Sequence, residues 1–150
     1  MKWIVFGGVV IGTLDLMFAF GFWALHGVAP IRIAQSIAAG LQGAAAYDGG
    51  GASAALGIAL HYFIATMFVL AYGLVARRAR GLLTQPWRFG LAYGALLYLV
   101  MNLVVLPLSA AGAPSFGNRA WVLGAIAMHL AIGVLCAMFA RRASARRRAP

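Results

Sequence analysis

Apolar residues fall in long blocks along this chain and never alternate with polar ones in the two-residue rhythm of a half-buried strand. Four blocks without Lys or Arg occupy residues 3–25, 54–76, 89–108 and 121–140. Each is about 20 residues long, the length a helix needs to cross roughly 30 Å of hydrocarbon. Lipid offers no partner to an unpaired backbone group, so blocks without the dyad pattern of a barrel predict four membrane helices. The fold class expected is an all-α integral membrane four-helix bundle. Trp3, Trp23, Trp87 and Trp121 lie at block ends, where an amphipathic ring prefers the headgroup layer.

The connection after the first block carries a different pattern. Pro30 at a helix start, then Ile31, Ile33, Ala34, Ile37, Ala38 and Leu41 with Arg32, Gln35 and Ser36 between them, predict a short amphipathic helix ending near Gly40. It is expected to lie on the membrane surface or dip into the bundle mouth. Gly49, Gly50 and Gly51 read as a flexible turn, and Arg32 is within reach of a salt bridge to Asp48.

Composition agrees with lipid as the solvent: 64% of residues are hydrophobic and 9% charged, against about 25% charged in a soluble domain. Mean hydropathy is +0.92. The net charge of +10 would point to nucleic acid in a soluble protein. Here it reports topology. Lys2, Arg77, Arg78, Arg80, Arg88, Arg141, Arg142, Arg146, Arg147 and Arg148 share one predicted side, leaving Arg32 and Arg119 on the other. Basic loops stay in the cytoplasm, so both ends are expected there, in a bacterial inner membrane, with the amphipathic helix outside. The basic tail 141–150 follows a membrane helix and lacks interleaved aromatics, so Arg77, Arg78, Arg141 and Arg142 are expected to meet anionic lipid, not nucleic acid. Lys2 followed by residues 4–11 resembles a secretory leader, but Asp15 and continued hydrophobicity to Leu25 predict a retained helix.

A faint duplication joins the two halves. Gly8-x-x-x-Gly12 recurs as Gly90-x-x-x-Gly94, an offset of 82, and Ile58-Ala59-Leu60-His61 recurs as Ile126-Ala127-Met128-His129, an offset of 68. Paired helices would run the same way, giving a parallel 2+2 repeat with its axis along the membrane normal. His61 and His129 then share a depth, with Asp15 near the mid-plane and Asn102 in the same broad layer. Small residues mark the helix interfaces: Gly8 and Gly12 beside Asp15, Gly57 beside His61, Gly133 beside His129, and Gly90 with Gly94. The four polar residues are therefore expected to point inward, Asp15 bonded to one histidine and Asn102 to the other or to a backbone carbonyl.

Three chemistries suit this layer besides plain packing. Two neutral imidazoles at one depth in a four-helix bundle are the ligand set of a b-type haem, with His61 and His129 as axial ligands and Gly57, Ala65, Ala125 and Gly133 making room for the ring. Asp15, His61 and His129 also form a donor set for a metal, though no HExxH or CxxC spacing specifies one. The same trio suits a proton relay in a small transporter or channel, because ionisable groups inside a membrane are costly enough to mark function. The GxxxG motifs serve internal packing or association with a second copy or a membrane complex. Walker, dinucleotide and Gly-x-Ser-x-Gly motifs do not occur, so no enzyme is expected. Cys136 reads as a small apolar residue, His26 as an interface residue, and Pro107 as the end or kink of the third span.

From His61 onward the sequence resembles the YagU-type family of small bacterial inner-membrane proteins. His61 with Tyr72, Gly90-x-x-x-Gly94, the run from Gly94 to Pro107-Leu108, and His129 carry the likeness, over about the last 90 residues. That family has a longer, more polar first periplasmic loop, and a histidine where this chain has Asn102. The resemblance implies location and topology and brings no biochemical activity with it.

Overall fold

A computed structural model describes residues 2–145, so Arg146, Arg147 and Arg148 lie outside the described residues. Five helices follow in order: α1 (Lys2–Ala24), α2 (Pro30–Gln42), α3 (Gly50–Arg78), α4 (Pro86–Leu108) and α5 (Arg119–Ala145). Single 3-10 turns, Gly43–Tyr47 and Arg80–Leu83, join α2 to α3 and α3 to α4. All but α2 are long and apolar enough to cross a membrane, and the chain is an all-α bundle with the architecture of a multi-pass membrane protein. Its outer faces carry Val5, Val9, Met17, Phe63, Leu99 and Leu103, the exposed aliphatic coat that lipid solvates.

Lys2, Arg77, Arg78, Arg80, Arg88, Arg141 and Arg142 gather at one end of the bundle, called here the basic end, where the Arg142 guanidinium sits 5.6 Å from the Trp3 ring centroid. The opposite end is covered by α2. This helix continues through Gly40 to Gln42, because Gly43, at φ 61°, supplies the backbone conformation that stops it. Gly49 precedes α3, Gly50 opens the helix at φ 55°, and Gly51 lies within it. Arg32 does not pair with Asp48. It donates to the Tyr47 carbonyl at 3.0 Å and to Gln35 Oε1 at 3.2 Å, and stacks over the Tyr47 ring.

Without a hydrophobic force between helices in lipid, close van der Waals approach must hold the spans together, and the glycines permit it. Gly8 and Gly12 let α1 press on Thr66 and Tyr62 of α3. Gly90 and Gly94 let α4 press on Val134, Leu130 and the His129 carbonyl of α5, and Gly133 meets both α4 glycines backbone to backbone. The sequence offsets survive in three dimensions. An offset of 82 carries Gly8 to Gly90 and Gly12 to Gly94, and an offset of 68 carries their partners Thr66 and Tyr62 to Val134 and Leu130. The α1/α3 and α4/α5 pairs are therefore two copies of one helix crossing. Both GxxxG motifs are buried inside a single chain.

The two copies do not close symmetrically. Between α1 and α5 an aromatic cluster fills the end under α2: Trp121 lies 5.6 Å from Phe18, 5.2 Å from Phe22 and 5.3 Å from Trp23, centroid to centroid. The equivalent positions between α4 and α3 are Val100, Val104, Val105 and Ser53, which are too small to bridge a gap. Toward the basic end α3 and α4 are tied by Tyr93, whose hydroxyl donates to the Phe68 carbonyl at 2.9 Å and whose ring packs edge-on against Tyr72. Toward α2 the two helices part.

A wide turn in α4 accompanies that parting. Pro107 has no N–H, and its ring crowds the carbonyl four residues back. The helix answers with a π turn over Met101–Val105, in which the Leu106 N–H reaches back five residues to the Met101 carbonyl.

Candidate functional site

The gap between α3 and α4 opens a chamber of about 340 Å³ whose floor is Ile11, Ala65, Phe68 and Ile132 of the bundle core. Its roof is Ser36, Ile37 and Gly40 of α2, locked to the α4/α5 loop by the Ala110 N–H to the Gly40 carbonyl at 3.0 Å. Met101, Asn102, Val105 and Leu106 of the π-turn region form one wall. A second chamber of 200 Å³ lies behind it, between α1, α2 and α5, with Phe18, Ala19 and Trp23 in its wall. Asp15, His61, His129, Trp121 and Ala125 line both chambers, so the polar residues stand at their junction.

All four residues of the expected polar layer thus reach one cavity, brought there by four different helices. His61 Nε2 donates to the Gly12 carbonyl at 3.0 Å and stands 3.8 Å from Asp15 Oδ2. The carboxylate is close enough to share charge with the imidazole but accepts no hydrogen bond from it. His129 turns Nδ1 to the Ala125 carbonyl of its own helix at 2.9 Å, leaving Nε2 as the acceptor of a neutral ring, and Tyr98 packs edge-on against it. Asn102 satisfies Nδ2 at the Tyr98 carbonyl, 2.9 Å away, and the two histidines bond to other carbonyls. Its amide caps a carbonyl just ahead of the widened turn. Thr13 and Tyr62 share a 3.0 Å hydroxyl bond that fixes α1 against α3 beside this cluster.

Compared with models of protein families, with curated proteins and with solved structures, the chain matches none. The site therefore has to be read from its own chemistry.

Two features bear on the cofactors considered from sequence. A bis-histidine haem needs the Nε2 of both rings, yet His61 Nε2 is engaged with the Gly12 carbonyl. It also needs the space assigned to Gly57 and Gly133, and both are filled: a β-carbon at Gly57 would run into the Ala34 carbonyl of α2, and one at Gly133 into the Gly90 carbonyl. As they stand, these residues do not fit a porphyrin. Among the described residues no three His, Cys, Asp or Glu side chains converge as metal ligands. The amphipathic pattern after Pro30 signalled the roof helix, whereas the α1/α5 aromatic cluster had no signal in any single motif; Trp121 and Phe18 become site residues only once the helices are docked.

Proposed function

We propose that this chain is a non-enzymatic, multi-pass protein of the bacterial inner membrane that holds a small ligand in the chamber at Asp15, His61 and His129. One observation carries the reading: an acid and two imidazoles from three membrane helices meet at the junction of two cavities, when a purely structural role would have them packed solid. The polar trio gives the ligand site a means of taking up or releasing a proton as it fills, the behaviour of a proton-linked binding or transport protein. The likeness to YagU-type proteins supports the membrane and the topology of this proposal.

Both ends of the chain are assigned to the cytoplasm because ten of its twelve basic residues fall, along the sequence, on one side of the four apolar blocks. Arg77, Arg78, Arg141 and Arg142 would there contact anionic headgroups, each contributing about 1 kcal/mol. Reporter fusions to either end should be active only as cytoplasmic reporters, and an insertion after Gly112 should report the periplasm. The opposite pattern overturns the orientation.

The chamber itself is tested with a neutral apolar probe, neopentylbenzene, and a chain in which Trp3, Trp23 and Trp87 are phenylalanine. Emission from Trp121 should shift saturably with the probe. Ala125→Phe, which puts a ring into both chambers, should abolish the saturable shift. A response identical in the two proteins would mean that the probe reports only partition into detergent, and the chamber reading would fall.

A further inference from the structure

We infer that the ligand of this chamber is a small lipophilic organic monocation, bound at Asp15 in exchange for a proton and admitted sideways from the bilayer between α3 and α4. This rests on the chamber reading above and names the class of molecule that fits it.

The charge balance of the cavity comes first. Asp15 is the single acid in the four spans, and no Lys or Arg lines either chamber. Facing it are Ser36 from α2, His61 from α3, Asn102 from α4, and His129 with Trp121 from α5. The nearest base on the roof, Arg32, is engaged by Gln35 and Tyr47. From within the protein, only a proton on the carboxylate or on one of the two imidazoles that face it, His61 at 3.8 Å and His129, can neutralise its charge. An arriving cation and that proton are alternative partners, so binding one monocation releases one proton and leaves the net charge of the site unchanged. An anion would meet the carboxylate with no compensating base, at a cost that rises as water is excluded.

The remainder of the cavity selects against a bare ion. Among the described residues no set of three metal-ligating side chains exists, and the walls away from the junction are Ile64, Phe68, Val105 and Leu106. Such a surface suits an apolar body, while Trp121, which lines both chambers, gives a quaternary or protonated nitrogen an aromatic neighbour. The open side lies between two lipid-facing helices, where Val105 both lines the chamber and is exposed. A ligand that partitions into the bilayer reaches it without crossing the roof.

Benzyltrimethylammonium and its neutral carbon isostere neopentylbenzene differ by one nitrogen for one carbon and separate charge from shape. In the protein whose tryptophan is Trp121 alone, the cation should bind at least about tenfold tighter than the isostere, a difference of about 1.4 kcal/mol. It should release up to one proton per chain, read with a pH dye in weak buffer. Cation affinity should rise with pH and level off once the site has lost its proton, whereas the isostere should be indifferent to pH. Asp15→Asn should bring the cation down to the isostere and silence the proton signal, and Asp15→Glu should retain both. The pH dependence needs no variant, so it decides the matter even if Asp15→Asn does not fold. Equal binding of the two probes, or cation binding that ignores pH, overturns this inference and leaves the chamber standing. Saturable binding of neither probe overturns both.

Discussion

Gly133→Leu should separate α4 from α5 and unfold the protein at far lower temperature or denaturant than any other single substitution in the bundle. Gly133 faces the Gly90 carbonyl and the Gly94 amide and α-carbon, while a β-carbon at Gly94 would meet the His129 carbonyl and the Leu130 α-carbon, and one at Gly90 would lie 3.0 Å from the Gly133 carbonyl. Three glycines thus place two backbones in direct contact, and neither backbone can step aside as a side chain can. Overpacking an ordinary core costs about 1 to 3 kcal/mol because neighbours shift rotamers. Here nothing shifts short of the helix itself, so the loss should exceed that range. The comparison with Gly12 is sharp. Its β-carbon would touch the Tyr62 ring at 2.8 Å, and a ring can turn, so Gly12→Ala should stay within about 1 to 3 kcal/mol. Gly21 meets nothing within 4 Å, and Gly21→Ala should be neutral or gain up to about 1 kcal/mol of helix stability. Thermal melts of the three purified variants in one detergent check the order. If Gly133→Leu melts with Gly21→Ala, the α4/α5 crossing is not the close contact described.

Most of the architecture was legible from one-dimensional signals, because membrane helices leave few choices. Length and apolarity mark the spans, and basic residues, seven of them among the described ones, gather at one set of their ends. The two GxxxG motifs with their 82 and 68 offsets prefigure two equivalent crossings. Depth is readable in the same way, since each residue advances about 1.5 Å along its helix, and Asp15, His61, Asn102 and His129 do reach one cavity. Azimuth is less readable. A sequence says that Gly57 presents a smooth face but not whether a helix, a cofactor or lipid lies against it. Asn102 was open between a histidine and a carbonyl, and the turn forced by Pro107 decided for the Tyr98 carbonyl. Arg32 found Tyr47 instead of Asp48 because its guanidinium can both donate to that carbonyl and stack on the ring. The asymmetry that makes the chamber was present as Phe18, Phe22, Trp23 and Trp121 against Val100, Val104, Val105 and Ser53. It acquires meaning only when the two crossings are superposed.

Gly57→Val should lift the roof from the chamber while leaving the four-span core intact. At Gly57 α3 meets α2 backbone to backbone, and a β-carbon there would collide with the Ala34 carbonyl and lie 3.1 Å from the Ala38 nitrogen. Beside a small apolar cluster of Ala38, Ala39 and Ala46 against Leu56, α2 is tied to this end by single hydrogen bonds: Gln35 Nε2 to the Gly50 carbonyl at 3.1 Å, Ser53 Oγ to Gln42 Oε1 at 2.9 Å, and the Ala110 amide to the Gly40 carbonyl. Each hydrogen bond contributes only about 0.5 to 1.5 kcal/mol net, so together they cannot hold α2 against an isopropyl group at the crossing. The core glycines and the Tyr93 tie are on the far side of the cavity and keep their contacts. The readout is Ala39→Cys, at a position of α2 that is 3% exposed, against a background in which the native Cys136 is 0% exposed. With Gly57 present, the roof position should react slowly with a membrane-impermeant maleimide. With Gly57→Val the rate should rise by about tenfold or more, which corresponds to 1.4 kcal/mol or more in favour of the open roof. The melting temperature should meanwhile fall less than for Gly133→Leu. A rate unchanged by Gly57→Val would mean that α2 is held by something other than this crossing, and that the roof of the chamber does not depend on the glycine beneath it.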